Sequence, residues 1–194
     1  MIRNLVNIKN TISKEGLNVL VVSYGGCCSN ALADALEKNG YNCKTKSWMD
    51  ILCHCPRYID VNVPIIYVYD NPIKSLISMK NRGNGYWNIN QKKLSNNNNT
   101  ILSDKNLLEL MINQFNSWTS IKRDNVLIIK ASELFNDAIV DKLEGFLKKK
   151  VKGFPLLYKK PKTNIDNIKN ENLNKLFEEY NEEIDKINNF IPFF

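Results

Sequence analysis

The feature that most constrains this chain is an apolar run, Leu17-Asn18-Val19-Leu20-Val21-Val22-Ser23, which ends at Gly25-Gly26 and leads at once into a helical pattern. A β-branched run with little polar alternation fits a strand buried on both faces, as in a parallel sheet. A parallel strand must be joined to its neighbour by a crossover, and a tight glycine turn into a helix begins one. In that helix Leu32, Ala35 and Leu36 share a face, Ser29 or Asn30 can cap the start, and Asn39-Gly40 supplies the stop.

The alternation continues along the chain. Residues 41–47 are expected to form a second strand, and the segment 48–57 fits either a helical turn or an extended stretch. Val63-Pro64-Ile65-Ile66-Tyr67-Val68-Tyr69 is the clearest strand, with Pro64 tolerable at its start and Pro72 suited to the first turn of a helix reaching about Asn81. Helical periodicity returns over 104–122 through Leu107, Leu108, Met111, Phe115 and Trp118, and residues 125–130 supply another strand. Two helices, near 136–150 and 170–189, bracket a basic loop. Between these elements 83–104 is Gly- and Asn-rich, and it is expected to be a flexible excursion from a single domain covering 1–194. The expected fold is α/β, a three-layer domain with a central parallel sheet of about four or five strands flanked by helices. Ligands of such sheets bind at the carboxyl ends of the strands, which points to the loops after Ser23, Tyr69 and Lys130, joined by the His54 segment.

The net charge of +7 favours an anionic partner: nucleotide, sulfated or phosphorylated substrate, nucleic acid or acidic membrane surface. Basic residues are dispersed apart from 148–152 and 159–162, so the basic face with interleaved aromatics that nucleic acid requires is missing. No apolar run approaches the ~20 residues needed to span a bilayer. The start, with Asn4, Asn7, Lys9 and Asn10, has no signal-peptide core, and a soluble, cytoplasmic chain is expected. Five cysteines at irregular spacing are expected to be reduced thiols.

The loop Ser23-Tyr24-Gly25-Gly26-Cys27-Cys28-Ser29-Asn30 combines small residues with a helix start whose N–H groups and positive dipole end favour phosphate. It lacks the Gly-Lys-Ser/Thr of a Walker A loop, so the lysine and Mg²⁺-holding hydroxyl of a kinase or NTPase are missing. The plainer alternative is an ordinary strand-to-helix turn. Cys27, Cys28, Cys53, Cys55 and His54 do not have zinc-knuckle spacing, and no metal is expected. A helix N-terminus would also lower the pKa of Cys27 or Cys28 and favour a reactive thiolate.

Taken together these segments resemble the PAPS-dependent sulfotransferase family. That family opens with a strand, a loop of the pattern Ser-Tyr-Pro-Lys-Ser-Gly-Asn-Thr and a helix, where this chain has residues 23–30. Its second signature is an apolar strand, Arg-Asp/Asn-Pro and a serine six residues after the proline, which Asp70-Asn71-Pro72 and Ser78 match in part. Cys53-His54-Cys55-Pro56 is similar to the family's His-x-Pro. Trp118 ahead of 125–134 is similar to its Trp, fourth strand and Tyr-Glu-Asp-Leu. The resemblance covers roughly 17–150, with two departures. Gly26 stands where the family has the lysine that contacts the 5′ phosphosulfate, and Asp70 where it has the arginine that binds the 3′ phosphate.

The resemblance implies a P-loop-type fold and metal-independent transfer of a sulfonate group from PAPS to a hydroxyl or amine acceptor. Backbone N–H groups of Gly25, Gly26, Cys27, Cys28, Ser29 and Asn30 would cradle the phosphosulfate, and His54, the only histidine, would be the general base. Asn71, Ser78 and the late lysines Lys160 and Lys162 would hold the 3′ phosphate, with Lys159, Lys74 and Arg82 as other cations. The alternative is a non-catalytic nucleotide-, anion- or partner-binding protein on the same scaffold.

Overall fold

Three apolar runs become three strands, β1 (Leu20–Val22), β2 (Ile65–Tyr69) and β3 (Val126–Lys130), in a computed structural model that describes residues 2–44, 52–83, 92, 95, 102–157 and 171–192. All pairings are parallel and the order is β1-β2-β3, with Leu20 opposite Ile65 and Ile65 opposite Val126. The central β2 is buried along its whole length, as expected of a strand covered on both faces.

Helices fill the crossovers. α1 (Ile2–Glu15) precedes β1, α2 (Ser29–Lys38) follows it, and a short 3₁₀ turn spans Leu52–His54. α3 (Pro72–Lys80) and α4 (Asp104–Thr119) lie between β2 and β3. A 3₁₀ turn (Ala131–Phe135), α5 (Ala138–Leu147), α6 (Glu171–Glu179) and α7 (Asn181–Asn188) complete the described residues. The fold is α/β, a parallel sheet flanked by helices. Among the described residues no helix is long and apolar enough to cross a membrane.

The elements start and stop for local reasons. Pro72 opens α3 and the Asn71 side chain accepts from the Lys74 N–H at 3.0 Å, so Asn71 is the cap. α2 ends at Gly40, whose φ of +80° lets Gly40 N–H reach the Glu37 carbonyl and Tyr41 N–H reach that of Leu36. No element is expected at 2–15, yet α1 forms there and buries Ile8 and Ile12, one turn apart.

The sheet departs from expectation in size. It has three strands among the described residues, not four or five. The strand expected at 41–47 is absent over 41–44, because the Asn42 side chain closes the end of α1 by donating to the carbonyls of Glu15 (2.7 Å) and Gly16 (3.1 Å). Residues 45–47 lie outside the described residues. β1 is shorter than its apolar run for the same kind of reason. Leu17 N–H bonds the Ile12 carbonyl, Asn18 N–H that of Asn42, and Ser23 N–H that of Cys53, all outside the ladder. The helix expected at 170–189 is two, α6 and α7, meeting at Tyr180, whose hydroxyl donates to Glu109 on α4. Of the excursion expected at 83–104, most falls outside the described residues, and its last residue begins α4, where Ser103 caps by accepting from Asn106 N–H.

The core lies on both faces of β2. Side chains alternate along a strand, so Tyr67 and Tyr69 share one face, where Tyr67 stacks on Trp118 of α4 (5.5 Å, 9°) and Tyr69 meets Phe115 edge-on (5.1 Å). Ile66 and Val68 point the other way and are fully buried.

Candidate functional site

The loop after β1 is held by left-handed backbone at three positions, Gly25 (φ +99°), Gly26 (φ +73°) and Cys28 (φ +61°). Cys28, not Ser29 or Asn30, occupies the cap position of α2 and makes no side-chain cap bond. The opening N–H groups of α2, on Ser29, Asn30 and Ala31, have no carbonyl one turn back, and the Cys28 side chain does not cap them. Ser29 is buried and its hydroxyl pairs with that of Ser23 at 2.9 Å, while Asn30 is exposed. The Gly25 N–H, a member of the expected cradle, donates to Ser23 Oγ at 3.2 Å.

Gly26 packs on α3. A Cβ there would lie 2.6 Å from the Ser75 carbonyl oxygen and 2.8 Å from its Cα. Cys27, buried beside it, has its thiol 3.3 Å from Ser75 Oγ and donating to the Gly25 carbonyl at 3.0 Å. Burial pushes the Cys27 thiol well above its ordinary 9.0, so the expected lowering by the helix start does not win there and Cys27 stays protonated.

His54 hangs beside the loop. Its Nδ1 lies 2.8 Å from the Ser23 carbonyl oxygen, which can only accept, so Nδ1 carries the proton and Nε2 of the neutral ring keeps its lone pair. The segment is fixed from behind by α4. Buried Gln114 donates to the carbonyls of Cys55 (2.7 Å) and Ser23 (3.4 Å), and Trp118 Nε1 also donates to Cys55 (3.2 Å). Loop, histidine and helix thus share one hydrogen-bonded unit.

At the β2–α3 junction the fully buried Tyr24 hydroxyl donates to the Asp70 carbonyl and accepts from the Asp70 N–H. The Asp70 carboxylate accepts from Asn71 N–H at 2.8 Å and sits at the start of α3. Asn71 is 5% exposed; its oxygen caps α3 and its Nδ2 donates to Asn188 Oδ1 at 3.1 Å, so both ends of its amide have partners. Ser78 is half-buried, one turn beyond Ser75, and it is Ser75 that meets the loop.

Lys159, Lys160 and Lys162 lie outside the described residues. Lys74 is half-buried in the first turn of α3, and Arg82 is exposed past its end. Lys130, by contrast, ends β3 beside Tyr69 and reaches the Asn188 carbonyl at 2.6 Å. Neither Lys130 nor Gln114 is expected from sequence. The signal for Lys130 was its place as the cation closing an apolar strand, whereas Gln114 reads only as a polar break in a helical stripe. A cavity of about 480 Å³ opens at the opposite, amino end of the sheet, lined by Asp60, Asn62, Asp124, Asn125 and Phe146, among others. It contains none of the expected site residues, and its two carboxylates disfavour an anion. Among the described residues no group of three His, Cys, Asp or Glu side chains is placed to hold a metal.

Comparison with protein-family profiles, with curated proteins and with solved structures gives no match.

Proposed function

We propose that this chain is a sulfotransferase-like protein of P-loop-type fold that passes a sulfonate group to a hydroxyl or amine acceptor. The observation that carries the proposal is His54, held by the Ser23 carbonyl with Nε2 as the basic nitrogen, next to an α2 start without a side-chain cap. PAPS, when bound, supplies the sulfonate group. The loop N–H groups at the start of α2 bind its anionic end, because unpaired helix N–H groups and the dipole both favour negative charge. Nε2 would take the acceptor's proton as its oxygen or nitrogen bonds to sulfur and the S–O bond to the 5′ phosphate breaks, releasing adenosine 3′,5′-bisphosphate, and the Ser23 carbonyl would stabilise the imidazolium through the Nδ1 proton. Gln114 and Trp118 hold the histidine segment in register with the loop.

Each end of PAPS lacks the side-chain cation that the resemblance implies. Gly26 leaves no room for a loop lysine, and Asp70 puts a carboxylate at the start of α3. These two observations favour the second reading, a non-catalytic anion- or partner-binding protein on the same scaffold.

The test is calorimetric titration with adenosine 3′,5′-bisphosphate, followed by a sulfonate-transfer assay on the intact chain and on His54→Ala. Binding together with a loss of at least about 100-fold in transfer by His54→Ala is expected for general-base catalysis. Binding without transfer over a broad acceptor panel supports the second reading. No binding at millimolar nucleotide overturns the role of PAPS.

A further inference from the structure

The carboxyl end of α7 lies across the carboxyl ends of β2 and β3. The Asn188 carbonyl accepts from Lys130 Nζ at 2.6 Å, and Asn188 Oδ1 accepts from Asn71 Nδ2 at 3.1 Å. Two residues on, the Phe190 carbonyl accepts from the Tyr69 hydroxyl at 3.1 Å, and its ring packs edge-on against Tyr69 (5.9 Å) and Phe115 (5.2 Å). Tyr69 and Lys130 are opposite one another as the last residues of adjacent strands. One short stretch, 188–190, therefore covers the place where ligands of parallel sheets bind.

What Asn188 touches there is chemically uniform. It presents two oxygens to two donors, an ammonium and an amide N–H, which is how an oxyanion would be received. The ammonium has a neutral partner at a helix end, favourable through the dipole but weaker than a charged one. The nearest acidic side chain in sequence, Glu133, is paired with Lys142 and with the Lys130 backbone N–H. Just past Phe190, Ile191 is 81% exposed. The Phe190 ring and three side-chain hydrogen bonds tie the stretch to the sheet, beside the helix-end bonds of Asn189 N–H to the Asp185 carbonyl and Phe190 N–H to that of Ile187.

We infer that residues 188–190 form a displaceable strap over an anion subsite, and that a phosphoryl group, carried by a nucleotide or free, binds there to Lys130 and Asn71 in place of Asn188. The ligand class rests on the nucleotide reading above, whereas the strap and its cation rest on the contacts of α7 alone. Lys130 supplies the positive charge that Asp70, at the start of α3, withholds. Binding is weakened by the fraction of time the strap is open: a strap open one tenth of the time lowers apparent affinity about tenfold.

The test is calorimetry with adenosine 3′,5′-bisphosphate and, separately, pyrophosphate, on the full chain, Tyr69→Phe and Lys130→Met. Tyr69→Phe removes the hydroxyl that holds Phe190 and keeps the ring, so both probes are expected to bind roughly three- to tenfold tighter. Lys130→Met is expected to weaken both at least about tenfold, the α2 start still receiving a phosphate. Hydrogen exchange at Asn189 and Phe190 is expected to quicken when either probe binds. Unchanged affinity in both variants overturns the strap and leaves the nucleotide reading standing. Pyrophosphate that binds with the expected variant pattern, while the nucleotide does not bind, supports the strap and ends the nucleotide reading. Failure of both probes with every variant overturns both.

Discussion

At Gly26 the loop backbone lies so close to Ser75 that any side chain must displace the first turn of α3. Its φ of +73° adds a second penalty for an L-residue. Gly26→Ala is therefore expected to cost about 1–3 kcal/mol, read from the urea midpoint. Gly26→Lys should lose at least as much stability and gain no nucleotide affinity; a stable lysine variant with tighter binding would refute this account of the loop. Gln114 is the other decisive residue. Gln114→Leu leaves the Tyr67 hydroxyl and one bond to the Cys55 carbonyl unsatisfied in the core, a loss of roughly 1–3 kcal/mol. As the only histidine, His54 gives one set of imidazole ¹⁵N signals, which should report a protonated Nδ1 in the parent chain and lose that preference in Gln114→Leu. The glycine turn was legible in the sequence, because Gly-Gly after an apolar run has few other meanings. Ser75, Gln114 and Lys130 were not, because their roles depend on partners brought together by the fold.

Strands β2 and β3 were legible almost to the residue, since their runs are apolar, β-branched and bounded by turn residues. β1 is shorter than its apolar run, because the N–H groups at both ends of that run are taken by carbonyls of α1, of Asn42 and of Cys53, which no periodicity reveals. The strand expected at 41–47 failed over its described part because Asn42 serves the end of α1. α4 emerged as expected, and it links the core to the site: Trp118 is fully buried, stacks on Tyr67 and holds the Cys55 carbonyl beside His54. Trp118→Ala is expected to cost about 3–5 kcal/mol in denaturant unfolding. Trp118→Phe should recover much of that packing but not the His54 signals, because it restores a ring without the N–H donor. Equal recovery of both would separate the histidine segment from α4.

For the molecule as a whole, the α/β alternation was written in the sequence, while the placement of α7 over the strand ends was not. The interior also makes a global prediction about pH. Burial pushes the Cys55 thiol from its ordinary 9.0 to about 11 and that of Cys43 to about 12, and it holds Tyr24, Cys27 and Tyr67 well above their usual values. The folded chain keeps these protons more tightly than the unfolded chain. Their contribution is therefore complete below pH 9 and is lost as pH rises through the folded values. Cys55 alone should cost roughly 2–3 kcal/mol by strongly alkaline pH. The urea midpoint should fall steadily from pH 9 to pH 11, and a flat profile would show that these groups are not buried as described. The order β1-β2-β3 has a further consequence, for synthesis on the ribosome. The first two strands each wait for a partner dozens of residues further along, with a helix between them. Until Lys130 has emerged, one edge of the central strand is an unpaired row of amides and carbonyls, and the nascent chain is then most exposed to pairing with a stranger.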